Sequence, residues 1–167
     1  MSSKKNQVIL RNLTNKVRKM QKLKVGSFLI LFMGMYTIVL SLLWIFVTEI
    51  MFVSDFAHYT HQTYQQYLAV SPEFARMYII TKKLVGFILL ANGAMIVLIN
   101  QKGYRNSEKW AWYAILVGGG ISWSTFIFYK LYIGYIGASM ITFVVGISLL
   151  VVGLILPAKE ILRKKSS

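Results

Sequence analysis

The stretch VGSFLILFMGMYTIVLSLLWIFVT, residues 25–48, carries no charged side chain. A bilayer hydrocarbon core about 30 Å thick is crossed by about 20 apolar residues in helical form, so this run is long enough to span one. Three more uncharged runs follow it: Leu84–Gln101, Trp110–Tyr129 and Leu131–Ala158. The whole chain of 167 residues is 56% hydrophobic, with a mean hydropathy of +0.58, whereas soluble domains are usually about 45–50% apolar. The pattern predicts an all-α integral membrane four-helix bundle with spans at about 25–48, 80–100, 109–128 and 138–157. The last uncharged run is too long for a single helix, and YKLYIGYIG (129–137), with its glycines, tyrosines and one lysine, reads as the interfacial turn before the fourth span. Pro157 is expected to stop that span.

The 19 Lys+Arg residues outnumber the 5 Asp+Glu and fall in blocks between the apolar runs. The N-terminal segment holds Lys4, Lys5, Arg11, Lys16, Arg18, Lys19, Lys22 and Lys24. Lys102, Arg105 and Lys109 lie between spans two and three, and Lys159, Arg163, Lys164 and Lys165 in the tail. The opposite side has only Arg76, Lys82, Lys83 and Lys130. Basic segments stay cytoplasmic, so both termini are expected there, in the cell membrane. The first uncharged run is longer than a signal-peptide core and lacks a small-residue cleavage site, so it is expected to stay as a span. Within residues 1–24, Leu10, Leu13, Val17 and Met20 recur at helical spacing among the basic residues. A helix of that kind lies flat on a membrane and attracts anionic lipids. The positive-inside distribution accounts for the basic charge without nucleic acid as a partner.

Small residues recur at spacing seven in every span, where they would let helix backbones approach closely. They are Ser27, Gly34, Ser41 and Thr48 in the first span and Gly86 and Gly93 in the second. The third has Ala111, Gly118 and Thr125, and the fourth has Ser139, Gly146 and Gly153. A seven-residue repeat stays on one face when helices coil left-handedly. Asn92, near the middle of span two, reads as an interhelical hydrogen-bonding group.

Residues 55–61, DFAHYTH, hold both histidines of the chain. With no glycine or proline between Glu49 and Val70, helix one is expected to continue to about Tyr67. Helix two would begin at Pro72 after Ser71, which completes a polar helical hairpin outside the membrane. On one helix Asp55, His58 and His61 share a sector of about 120°, with the outer two about 9 Å apart along the axis. As a metal site this is a loose ligand set for iron, copper or zinc. The preferred reading is interfacial polar residues, with Asp55 paired to a basic side chain and no cofactor. Glu49 is a candidate ion-pair partner for Lys82 or Lys83.

The segment KKLVGFILLANGAMIVLINQKGYRNSEKWAWYAILVGG (82–119) resembles small four-span prokaryotic membrane proteins grouped loosely with the DoxX-like proteins. Lys83, Gly86, Tyr104, Arg105, Glu108, Trp110, Trp112 and Tyr113 carry the likeness, which implies a fold and no reaction. Trp110, Trp112 and Tyr113 would form an aromatic belt at the membrane interface. The chain contains no cysteine, no charge near the middle of a span and no nucleophile–base motif. These observations favour a non-catalytic accessory subunit docked to other membrane protein subunits. The composition suits an archaeon, and a copper membrane monooxygenase such as ammonia monooxygenase is one such complex. The alternatives are a lipid or hydrophobic-molecule binding protein, with its pocket beside Asn92 and Gly118–Gly120, and a metal-binding protein using Asp55, His58 and His61.

Overall fold

The computed structural model describes residues 2–134 and 137–163. Tyr135, Ile136, Lys164 and Lys165 lie outside the described residues, as do the side chains of Lys4, Lys5 and Ser139. The described elements are all helical: α1 (Ser2–Phe46), α2 (Thr48–Thr60), α3 (Tyr64–Val70), α4 (Pro72–Lys102), a 3-10 turn (Tyr104–Asn106), α5 (Lys109–Ile133) and α6 (Ala138–Leu162). Among the described residues four segments are long and apolar enough to cross a membrane: Leu13–Phe46, Pro72–Asn106, Lys109–Ile133 and Met140–Leu162. Helix α1 packs against α4 and α6, and α5 packs against the same two, which closes a ring of four. Trp44 of α1 reaches across the ring to Phe126 of α5 and Phe143 of α6, at 5.1 and 6.3 Å between centroids.

Several helix boundaries differ from the sequence expectation. The basic segment 1–24 is not a separate helix: from Ser2 onward it is the first half of α1, because neither glycine nor proline interrupts the chain before Gly26. Helix one does not run on to Tyr67 either. It breaks at Val47, and beside that break Thr48 donates its hydroxyl back to the Trp44 carbonyl, a bond that bends helices. It breaks again at His61, which takes a left-handed conformation with φ 59°. Helix α3 then restarts on a capping box: Thr63 Oγ1 accepts from the Gln66 N–H at 3.2 Å, and Gln66 Oε1 accepts from the Thr63 N–H at 2.9 Å. Pro72 does open α4, although the Ser71 side chain makes no capping bond.

Helix α5 does not stop at residue 128. It runs to Ile133 and is capped by Gly134 at φ 74°, so Tyr129 and Lys130 are helical residues rather than part of a turn. Nor does Pro157 end the fourth span, since it lies inside α6. Proline has no N–H to give the carbonyl four residues back, which here is Gly153. The Tyr104 hydroxyl takes that place, donating to Gly153 O at 2.6 Å, and the Trp112 indole N–H donates to Leu154 O at 3.1 Å. The proline ring itself faces α1, where a Cβ on Gly26 would come within 2.7 Å of it. The 103–112 connection is thereby bonded to α6, and α6 fits against α1.

Small residues lie at the helix contacts in α1, α4 and α6. A Cβ on Gly34 would lie 2.8 Å from Val97, and one on Gly93 3.1 Å from the Ile38 nitrogen. Gly86 faces Trp44 and Ile45, while Gly153 faces Ile30. Ser27 is buried and donates to Asn100 Oδ1 at 3.1 Å, and Ser41 is buried and donates to Ile38 O at 2.6 Å. In α5 only Ala111 of the expected stripe is buried. Gly118 has open space where its Cβ would be, and Thr125 is exposed; the buried face is Ala111, Ile115, Gly119, Trp123, Phe126 and Lys130. Gly119 meets Leu150, and Trp123 lies flat over Gly146.

Overpacking in a filled interior costs about 1–3 kcal/mol. Gly146→Ala, which drives a methyl into the buried Trp123 ring, should lower stability by that amount in thermal unfolding. Gly118→Ala should leave it unchanged or raise it slightly, because the site is open and helical glycine is unfavourable.

Candidate functional site

A buried charged cluster lies at the end of the ring where α2, α4 and α5 meet. Lys130 reaches inward from α5 because it follows Phe126 by four residues on the buried face. Its Nζ is 2.5 Å from Asp55 Oδ1, with the two side chains 1% and 2% exposed. A second ammonium stands beside this pair: Lys82 Nζ donates to the Tyr129 hydroxyl at 2.5 Å. It also lies 4.0 Å from the Tyr129 ring centre, 4.9 Å from that of Phe52 and 5.2 Å from that of Tyr78. The Tyr78 and Tyr129 rings thus both lie against this ammonium. Two lysines thus share one carboxylate, and the cation left over is held by aromatic faces.

Above the cluster opens a cavity of about 360 Å³. Phe56, Tyr59, Phe74, Tyr78, Tyr129 and Tyr132 give it aromatic walls, and Lys82 and Asp55 give it a charged base. A local core steadies the walls: Phe56, Tyr64, Ala75 and Ile79 are buried together, with Phe56 edge-on to Tyr64 at 5.7 Å, Tyr67 at 5.2 Å and Tyr78 at 5.1 Å. A concave, mostly apolar space with a few fixed polar groups suits an organic molecule with one polar end.

The candidate metal set is not brought together. Asp55 is turned into the ion pair, His58 is exposed on α2, and His61 leaves the helix at its left-handed cap. Among the described residues no group of three His, Cys, Asp or Glu side chains could hold a metal ion. The expected Glu49 ion pair does not form: Glu49 and Lys83 are exposed, and Lys82 goes to Tyr129 instead. The Val47 break puts Glu49 on α2, whose buried face is Thr48, Phe52, Asp55 and Phe56. Trp110 and Tyr113 are exposed, whereas Trp112 turns inward to Leu154 O. Asn92 joins α4 to α5 by donating to Gly118 O at 3.3 Å and to Ser122 Oγ.

Lys130 is the site residue that sequence reasoning missed. A lysine after a long apolar run looks like a span end, yet its i−4 neighbour Phe126 and the scarcity of carboxylates both point to Asp55. No protein-family model, curated protein or solved structure matches the chain.

Removing one partner of a buried ion pair leaves an uncompensated charge and costs about 3–5 kcal/mol. Lys130→Met should therefore destabilise the protein by about that much in thermal unfolding. Lys82→Met should cost less, about 1 kcal/mol, because Asp55 keeps Lys130 and the thioether still packs against the rings. Equal losses would show that the two lysines are interchangeable.

Proposed function

We propose that the chain is a multi-pass cell-membrane protein with both termini cytoplasmic, which binds a hydrophobic or lipid-like molecule and performs no chemistry of its own. Its membrane reading is supported by an inverted distribution of side chains. Phe28, Ile88, Ile121 and Ile155, one from each long helix, are 65%, 63%, 65% and 68% exposed. Ser27, Thr37, Asn100 and Lys130 are buried inside. A water-soluble bundle arranges these the other way round. In lipid the outer face needs no cover, while polar groups must find partners within the protein.

The observation that carries the binding reading is the 360 Å³ aromatic cavity with the Lys82 ammonium at its base. A ligand with an acceptor at one end and an apolar body would satisfy both parts. The accessory-subunit reading keeps one observation in its favour: Val70 and Tyr132, at the same end of the ring, are each 81% exposed, and aromatic residues are enriched where proteins dock. Purification in mild detergent followed by mass spectrometry separates the readings. A stoichiometric small molecule that is lost in Lys82→Met supports the cavity; stoichiometric protein partners without it support the accessory role; bound copper, iron or zinc would reinstate a metal role for Asp55, His58 and His61.

Orientation rests on the excess of basic residues at the end bearing the termini. Because the chain has no cysteine, single cysteines at Gln7 and Gln65 can be labelled without background. They should react from opposite sides of the membrane, Gln7 from the cytoplasm; labelling from one side would contradict the topology.

A further inference from the structure

At the other end of the ring, α1 extends beyond its neighbours' ends as a basic helix with a groove beside it. That groove, about 610 Å³, runs between α1 and α4 and changes character along its length. Lys24 and Arg105 stand at its polar end, and Phe28 and Leu31 line its apolar end. Its inner wall includes Ser27 and Asn100, both buried and bonded to each other, so the floor is fixed. Among the described residues no carboxylate lines it. A second hollow of about 490 Å³, sharing Met20 and Leu23 with the first, is bordered by Lys19, Lys22, Lys159 and Arg163 against the single acidic Glu160.

We propose that the groove between α1 and α4 is a site for an anionic phospholipid, with its phosphate between Lys24 and Arg105 and an acyl chain along Phe28 and Leu31. The argument is complementarity in both halves. Two neighbouring cations with no carboxylate in the groove attract an anion, and an arginine presents its donors in a fork that fits phosphate oxygens. The exposed Phe28 ring, 65% accessible, needs an apolar neighbour at the same time. A free phosphate would meet only the first need, and a zwitterionic lipid would bring a choline into an already cationic place. The four further basic residues of the adjoining hollow raise the local positive potential and select against cations. The lipid takes the place of the flat amphipathic helix as the contact with an anionic leaflet: α1 stands upright, and its basic turns form the wall of a binding groove.

The inference rests on the membrane reading and is independent of the cavity at the hairpin end. Native mass spectrometry of the protein from detergent should count retained phosphatidylglycerol and phosphatidylcholine for the parent, Lys24→Gln/Arg105→Gln and Lys24→Arg. The parent should hold one phosphatidylglycerol in preference to phosphatidylcholine. The double variant should bind it on the order of tenfold more weakly, as expected from losing two basic contacts at a lipid surface, and Lys24→Arg should keep it. Millimolar inorganic phosphate should not displace it. Unchanged retention in the double variant, equal retention of the two lipids, or displacement by phosphate would each overturn the proposal. Should the double variant misfold by circular dichroism, Lys24→Gln alone with the phosphate competition decides the same point. Alkaline carbonate washing tests the membrane reading separately: release of the chain from membranes would overturn both.

Discussion

Everything at the hairpin end depends on the ion pair between Asp55 and Lys130. Two opposite charges withdrawn from solvent are tolerable only together, because each alone would carry a large desolvation cost. The pair therefore acts as a constraint more than as a source of stability. It ties α2, an element that the Val47 break has freed from α1, to the end of α5. Beneath it lie the aromatic contacts of Trp44 with Phe52 and of Phe126 with Phe143, at 4.7 and 5.2 Å. Beside it Lys82 is left as the surplus cation, and that surplus gives the aromatic cavity its polar end.

The opposite end is organised by a missing hydrogen bond. Pro157 cannot donate to Gly153 O, and Tyr104 fills that acceptor from the short connection between α4 and α5. In an apolar surrounding an unmet carbonyl is costly, so the tyrosine and the proline specify each other. Ser27 with Asn100 and Asn92 with Ser122 perform the same task between other helix pairs. Polar side chains in the interior thus fix which helices are neighbours, while close glycine contacts set how near they come.

Much of this was readable from the chain because uncharged runs and small residues follow directly from physical constraint. The four long helices and the α1–α4 contacts at Gly34, Gly86 and Gly93 are of this kind. In α5 the run Gly118–Gly120 offered three phases, and only Trp123, which needs Gly146 as its floor, selects the one in which Gly119 faces inward. The Thr63–Gln66 capping box is present in the sequence as T-x-x-Q and signals the α3 start, a stronger local signal than the lack of glycine and proline that favours continuous helix. Lys130 and Pro157 were misjudged for one reason. Lysine usually marks the end of a membrane span and proline the end of a helix, and each is retained here because a distant partner, Asp55 or Tyr104, compensates it. Lys130 and Asp55 are separated by 75 positions along the chain, and Tyr104 and the Gly153 carbonyl it fills by 49, beyond the reach of local pattern.

The central claim is that the hairpin end is held by a specific charge pair and not by general polarity. Exchanging the charges tests it most directly. Asp55→Lys and Lys130→Asp, each alone, bury two like charges and should lower the unfolding temperature sharply, whereas the exchanged double variant should recover most of the loss. A double variant as unstable as the two single changes added together would contradict the account.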